Sequence, residues 1–283
     1  MSKHDDLWSI LLLSFYIIQV VALIAIGYLV FYQAMPLQYL AIMAVMFLIG
    51  TRYRALNNIV HECTHYSFCK SKKMNIFIGK IAANVIFTSY KDYKMEHMSH
   101  HKSLGDYEND LDFQSRQKFN FEASLTLGTV LRHIFTPILG LHYPQYFSVS
   151  FTFKDGFGFG MIKILMVMAV VVGLYFAPVA SILMLILPFV WVFSGINYWT
   201  DCIDHAGLMH KDDDLLKSRN FILNPVIRSI LFPRNDCYHL IHHLFPSVPA
   251  HHMENVHEIL LGDASYFQVS DVEKYPTTWL ESH

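Results

Sequence analysis

Two long stretches of the chain are rich in apolar residues and contain no charged side chain. No Asp, Glu, Lys or Arg occurs from Leu7 to Thr51 or from Ile164 to Thr200. A helix crosses the hydrocarbon core of a bilayer, about 30 Å thick, with about 20 apolar residues, so each stretch is long enough for two spans. Pro36 and Pro178 suit the first turns of the returning helices, where a missing N–H is harmless. The pattern predicts transmembrane helices at approximately 8–31, 36–56, 161–176 and 179–199.

The predicted spans form two hairpins whose short turns lack positive charge. No Lys or Arg falls between His4 and Thr51 or between Ile164 and His210. By the positive-inside rule, both turns are therefore expected to face away from the cytoplasm. Both termini and the segments 57–160 and 201–283 then share the cytoplasmic side. The expected fold is an all-α, multi-pass integral membrane protein with a helical cytoplasmic cap.

Composition supports this class and excludes another. Apolar residues make up 53% of the 283 residues, charged residues 16%, and the mean hydropathy is +0.31, which is typical of a protein that contacts the lipid bilayer. The net charge of −2 leaves no basic surface for a nucleic acid. Shorter apolar segments at 74–89, 119–146 and 221–232 each contain a cation, which favours positions at the membrane surface. Without an internal repeat or a linker, residues 1–283 are expected to form a single domain.

Three clusters of histidines lie in the predicted cap. Each has the spacing that places imidazoles on one face of a helix. They are His61-Glu-Cys-Thr-His65, His97-Met-Ser-His100-His101 and His239-Leu-Ile-His242-His243. Because the topology places all three clusters on one side of the membrane, we expect them to meet in a metal site just outside the bilayer.

The number of histidines indicates more than one metal ion. A catalytic zinc takes three protein ligands and a structural zinc four, whereas eight or nine nitrogens can serve two ions with open positions. Imidazole suits Zn, Cu, Fe and Ni, so the ligand type alone does not identify the metal. His205, shortly after the fourth predicted span, is a ninth candidate ligand. Asp201, four residues before it, is a candidate to ligate, to hold a metal-bound water or to orient His205.

Other side chains near the clusters have two possible roles each. Acidic residues can accept the second ring N–H of a ligating histidine or be solvated at the surface: Glu62, Glu96, Asp106, Asp110, Asp112 and Asp236. Aromatic residues of the cap can line an apolar tunnel or form an interfacial belt: Phe113, Phe119, Phe121, Tyr143, Tyr146, Phe147 and Phe151. The remaining histidines are expected to be surface or hydrogen-bonded residues: His4, His133, His142, His210, His251, His252, His257 and His283.

The order and spacing of the clusters, with Leu-Phe-Pro after the third, resemble those of the membrane fatty acid desaturase family over residues 40–260. This resemblance implies a non-haem enzyme with two Fe ions (Fe²⁺/Fe³⁺) that uses O₂ and two electrons to oxidise a C–H bond of an acyl chain or similar lipophilic substrate. It implies a separate electron donor of the ferredoxin or cytochrome b5 type. It also implies that the eight cluster histidines and His205 are iron ligands. Asp201 departs from the family pattern, in which many members carry Asn, and Lys94-Met-Glu96 stands where Trp and Arg are common.

Three other functions fit parts of the pattern. A hydroxylase of the same superfamily shares the oxidant and differs only in the product. His61-Glu62-Cys-Thr-His65 also matches H-E-x-x-H, the zinc-protease motif in which Glu is the general base, but a protease leaves both H-x-x-H-H clusters unexplained. A metal transporter is expected to carry ligands within its spans, and neither charge-free stretch contains a histidine.

Overall fold

A computed structural model describes residues 2–147, 149–209, 211–213 and 216–274. Within these residues the chain is helical and forms no β-strand, apart from one isolated bridge between His4 and Cys69. The helices are α1 (Asp6–Tyr32), α2 (Gln38–Thr64), α3 (Lys72–Val85), α4 (Tyr90–Ser103), α5 (Leu127–Ile138), α6 (Phe157–Phe176), α7 (Pro178–His205), α8 (Pro225–Leu231), α9 (His239–Leu244), α10 (Met253–Leu260) and α11 (Ala264–Lys274).

Four of these helices, α1, α2, α6 and α7, are long and apolar enough to cross a membrane. They coincide with the four predicted spans, and each extends past at least one predicted end, α2 and α7 by the most. Helix α2 continues to Thr64 and α7 to His205, beyond the predicted ends at 56 and 199. Apolar content marks where a helix would leave the bilayer, whereas helical hydrogen bonding continues into the polar residues that follow.

Helix α2 is the centre of the packing, and α1, α3 and α7 all lie against it. Small residues permit this close approach. A Cβ added at Gly27 of α1 would lie 2.1 Å from the sulfur of Met184, and one at Gly50 of α2 would lie 2.4 Å from Cγ1 of Val192. A methyl group at Gly50 would clash with the branched Cβ of Val192 and push α2 and α7 apart, whereas one at Gly27 would require the flexible side chain of Met184 to move.

Helix α7 changes its pitch before it enters the cap. Two wide π-helical stretches cover Ile182–Ile186 and Pro188–Phe193. Pro188 has no N–H to donate, so a wider turn accommodates it where a regular α-helix would lose a bond. The helix then regains α-helical geometry over Ser194–His205, the part that carries Asp201, Asp204 and His205.

Polar caps define where the short helices begin. The hydroxyl of Ser71 accepts the N–H of Met74 at the start of α3, and that of Ser89 accepts the N–H of Asp92 at the start of α4. Such a cap satisfies one of the free N–H groups of the first turn. Helix α4 therefore begins at Tyr90, and the second histidine cluster lies within it.

Helix α5 is strongly amphipathic and packs against the polar end of α7. It buries His133 and Thr136, while Leu131, Ile134 and Phe135 are exposed on the opposite side. An exposed apolar face on a helix beside a spanning helix is typical of a segment that lies in the membrane interface.

Candidate metal centre

All nine predicted histidines come together, close to the polar ends of α2 and α7. They come from four places in the chain: α2 and its first following residue, α4, the last residue of α7, and α9. The ring nitrogens form two groups, within each of which all candidate ligand atoms lie within 4.8 Å of one another. The first group is His61, His65, His97, His101 and His242, and the second is His100, His205, His239 and His243.

Each H-x-x-H-H cluster contributes to both groups. In α4, His97 and His101 share one face and belong to the first group, whereas His100 belongs to the second. In α9 the assignment is reversed, because His239 and His243 join the second group and only His242 joins the first. The two helices therefore each supply ligands to both groups.

The distances between imidazole nitrogens fit metal coordination. A metal held about 2.0–2.1 Å from each nitrogen places neighbouring nitrogens roughly 3 Å apart. In the first group the Nε2 atom of His242 lies 2.8 Å from those of His61 and His101, and the Nε2 atoms of His65 and His97 are 2.8 Å apart. In the second group the Nε2 atom of His239 lies 2.9 Å from those of His205 and His243. The donor set therefore fits two metal ions.

The second nitrogen of several of these rings is held by an acceptor. The Nδ1 atom of His100 lies 2.8 Å from Oδ2 of Asp110, a fully buried carboxylate. The Nδ1 atom of His239 is 3.3 Å from Asp204, and that of His205 is 3.1 Å from the carbonyl oxygen of Lys217. Such partners fix the tautomer and direct Nε2 toward a metal.

Burial keeps most of the cap imidazoles in the neutral form. It is the main cause that lowers the pKa of His65 to about 4 and that of His101 to about 2. Burial and the neighbouring imidazoles also lower the pKa of His97 well below its usual range. For His100, burial opposes protonation, but the hydrogen bond and charge of Asp110 outweigh it and raise the pKa. A neutral imidazole is the form that ligates a metal.

Asp201 lies outside both histidine groups. Its carboxylate pairs with Arg116 at 2.8 Å and accepts a hydrogen bond from the hydroxyl of Tyr146 at 2.5 Å. The carboxylate nearest the second group from this part of α7 is Asp204. Asp204 directly precedes His205, so its position in the sequence could have identified it. The pairing of Asp201 with Arg116 follows no recognisable sequence spacing.

Glu62, the acidic residue of the H-E-x-x-H motif, is held in a buried ion pair. Both of its oxygens accept hydrogen bonds from Arg234, each at 2.8 Å. A second buried pair joins Arg54 to Asp236, with Arg54 Nε 3.0 Å from the carboxylate. These pairs attach the turn before α9 to α2, and so set the third histidine cluster against the first. The general-base role that the motif assigns to Glu62 is incompatible with this pairing.

Not all of the other acidic and aromatic candidates take one of the two roles considered. Asp112 pairs with Arg116, and Asp106 accepts the N–H of Glu108 in an exposed turn. The phenyl rings of Phe113, Phe119 and Phe121 form a buried cluster with Tyr146 and Tyr198. Phe113 stacks on His100 with the ring centroids 4.9 Å apart. This cluster closes one side of the second histidine group.

The remaining described histidines have partners away from the two groups. His133 hydrogen-bonds the hydroxyl of Tyr198, His142 that of Ser194, and His257 that of Tyr266. His4 stacks on His251, and His252 contacts the carbonyl of Ser2. His210 and His283 lie outside the described residues.

Comparison with known proteins identifies relatives over most of the chain. A model of the family described as fatty acid desaturase matches residues 37–274. Among curated proteins, the dihydrorhizobitoxine desaturase of Bradyrhizobium elkanii is 26% identical over 245 residues, which cover 79% of this chain and 68% of that protein. An endoplasmic reticulum omega-3 fatty acid desaturase of Vigna radiata var. radiata is 26% identical over 233 residues, 72% of this chain and 60% of the relative. A chloroplastic sn-2 acyl-lipid omega-3 desaturase (ferredoxin) of Helianthus annuus is 26% identical over 230 residues, 72% of this chain and 52% of the relative. The chain thus spans about half to two thirds of the length of these relatives.

Proposed function

The chain belongs to the fatty acid desaturase family, and from that premise we propose that it is a membrane di-iron oxidoreductase that desaturates an acyl chain or a similar lipophilic substrate. In the overall reaction the substrate loses two hydrogens, while O₂ takes up two electrons and two protons so that two waters form. The observation that carries the proposal is the convergence of nine imidazoles in two groups. Two irons held there by neutral imidazoles would supply the redox chemistry that zinc lacks.

The residues of the chain have distinct roles in this proposal. The nine histidines bind the metal ions, and Asp110, Asp204 and the carbonyl of Lys217 orient three of the rings. The two buried ion pairs of α2 hold the third cluster in register with the first. The aromatic cluster around Phe113 excludes water from the side of His100. Asp201 is not among the proposed ligands, because Arg116 and Tyr146 engage its carboxylate.

The proposed topology places both termini and the histidine cap on the cytoplasmic side, with residues 1–283 as one domain. It is supported by the absence of Lys and Arg in the turns between α1 and α2 and between α6 and α7. Electrons would come from a separate protein of the ferredoxin or cytochrome b5 type. The name of the Helianthus annuus relative, which includes ferredoxin, supports this expectation.

The proposal is tested by metal content and products together. The purified protein is expected to bind about two irons per chain, in keeping with nine available ligands. Expressed in a lipid-producing host, it should yield a product two hydrogens lighter than its substrate. An added oxygen would instead identify a hydroxylase, and one tightly bound zinc with peptide cleavage would identify a protease.

Variants of one histidine from each group sharpen this test. His242→Ala and His100→Ala should each abolish product while the protein still inserts into the membrane. His252→Ala, a histidine that contacts Ser2 away from both groups, is the matched control and should retain activity. Turnover retained by either of the first two variants would remove that residue from the set of essential ligands.

A further inference from the structure

A cavity of about 150 Å³ begins one helical turn from the histidine groups. Three lining residues each precede a candidate ligand by four positions: Asn57 before His61, Tyr93 before His97 and Asp201 before His205. Four residues of helix advance about 6 Å. The cavity is therefore close enough to both groups to hold the part of a substrate that is oxidised.

The wall of this cavity carries three acidic side chains, Glu96, Asp112 and Asp201, against two arginines. Arg116 is shared between Asp112 and Asp201, each at 2.8 Å. The other lining arginine, Arg54, is already neutralised by Asp236 outside the lining. Glu96 also lines the cavity, and its carboxylate forms no ion pair with any described residue. An approaching cation would compensate this excess, whereas an approaching carboxylate would add to it.

Two buried polar atoms among the lining residues have no hydrogen-bond partner. They are Oε1 of Gln145, an acceptor, and Nε of Arg116, a donor. Buried polar groups are ordinarily paired, and those left unpaired are typical of sites completed by a ligand. The acceptor on Gln145 would be satisfied by an N–H group of the ligand, and the donor on Arg116 by a water molecule that shares the cavity with it.

The opposite end of the cavity is apolar. Phe189 and Phe193 line it from α7, together with Ile86 and Phe147. Phe193 stands twelve residues before His205, about 18 Å along a helix. The polar wall therefore lies between the histidines and the phenylalanines.

We propose that this cavity binds an aliphatic amine, with the cationic nitrogen against Glu96, Asp112 and Asp201. Any longer alkyl part lies against the phenylalanines, and the oxidised C–H bond lies within a few carbons of the nitrogen. This assignment rests on the proposed function, because it names the substrate class of the same metal centre. An enzyme with this site differs in substrate class from one that accepts only uncharged acyl chains.

The test compares probes that share one alkyl chain and differ in the polar group. Octylamine, octanol and octanoate are titrated into the iron-loaded protein in nanodiscs, and binding is measured by calorimetry without turnover. We expect octylamine to bind about tenfold or more tightly than the other two, as a charge-assisted hydrogen bond to a desolvated carboxylate would give. Equal or tighter binding of octanoate or octanol would overturn the assignment.

A neutralising substitution then locates the binding site. Glu96→Gln should weaken octylamine binding about tenfold, whereas Glu108→Gln, which removes an exposed acid outside the cavity, should leave it unchanged. Iron content is measured in both variants, because Glu96 is next to His97. Amine that coordinates iron directly would bind the Glu96→Gln variant as tightly as the wild type, and that result would also overturn the assignment. The comparison of the three probes on the wild type needs no variant to fold.

This design distinguishes failure of the amine-binding site from failure of the proposed function. Selective binding of octylamine by a protein that contains iron but yields no oxidised product would refute the proposed function and leave the amine site standing. Oxidation of lipid chains with no preference for octylamine would refute the amine site and leave the proposed function standing.

Discussion

The ring nitrogens that point away from the two histidine groups depend on acceptors from distant parts of the cap. Asp110 supplies one of them from the turn after α4, where the backbone N–H groups of Asp112 and Phe113 hold its other oxygen at 3.1 Å. These two hydrogen bonds fix the orientation of the carboxylate, whose Oδ2 contacts His100. A buried acid therefore supports the second group as well as its histidines.

Replacing Asp110 by Asn is expected to weaken metal binding in the second group about 10- to 100-fold. The amide keeps the shape and one oxygen, so the turn should persist, but it removes the charge that orients His100. Iron stoichiometry after dialysis against a graded chelator series measures the effect. Asp106→Asn, on an exposed turn of the same loop, is the control. Full iron retention in the Asp110 variant would show that His100 needs no anchoring carboxylate.

His133 makes part of the stability of the cap depend on pH. Burial, followed by the charge of Arg132, lowers the pKa of His133 to about 4. The unfolded chain, with a pKa near 6.5, binds this proton more readily, so the contribution of His133 is complete above about pH 6.5 and declines as pH falls toward 4.

His133→Phe should therefore flatten the loss of stability between pH 6.5 and 4.5. At pH 7.5 the variant should be less stable by about 1 kcal/mol, because it loses the hydrogen bond to Tyr198. Thermal unfolding in detergent across this pH range provides the measurement. A variant whose curve runs parallel to that of the wild type would refute the link.

At the scale of secondary-structure elements, the turn before α9 positions the third histidine cluster against α2. Its residues Arg234 and Asn235 both adopt left-handed backbone conformations, with φ of 69° and 58°. Such conformations are costly for residues other than glycine. The bidentate pair of Arg234 with Glu62 holds the turn in this shape, together with Arg54, which donates to one oxygen of Asp236.

Glu62→Gln is expected to destabilise the protein by about 3–5 kcal/mol, because it leaves the buried Arg234 without its counter-charge. The double variant Glu62→Leu/Arg234→Met should recover much of this loss, since it removes both charges. Asp92→Asn breaks an exposed pair with Lys154 and should change stability by about 1 kcal/mol at most. Denaturant titration in detergent compares the three proteins. A Glu62→Gln variant that stays as stable as the wild type but loses peptide cleavage would restore the protease interpretation.

The sequence predicted these elements to the extent that their signals are local. The charge-free stretches located the four long helices, and the i, i+3, i+4 spacing placed the histidines on helix faces. His97 and His101 belong to the first histidine group and His100 to the second because of how α4 and α9 are placed relative to each other. No single segment of the sequence determines that placement. The role of Asp201 was also not readable from one segment. Its spacing from His205 suggested that it orients that ring, but its carboxylate pairs with Arg116, which lies far away in the sequence.

Across the whole molecule, the apolar surface separates the chain into a lipid-facing part and a cap. Helices α1 and α6 expose apolar side chains along most of their length, and α5 adds an exposed apolar face beside the polar end of α7. If α5 lies in the interface, as its pattern indicates, the polar end of α7 lies close to the membrane surface.

Membrane topology is the molecular-scale prediction on which this arrangement depends. A cysteine at Met35, in the exposed turn between α1 and α2, should react with an impermeant maleimide only from outside the cell. A cysteine at Glu108, in the cap, should react only in inverted or permeabilised vesicles. Native Cys63, Cys69 and Cys237 are buried, and the half-buried Cys202 is replaced by Ser in both variants so that the background labelling stays low. One span, α2, separates the two positions, so they should lie on opposite sides of the membrane. Labelling of both from the same side would contradict this topology and the placement of all nine histidines on the cytoplasmic face.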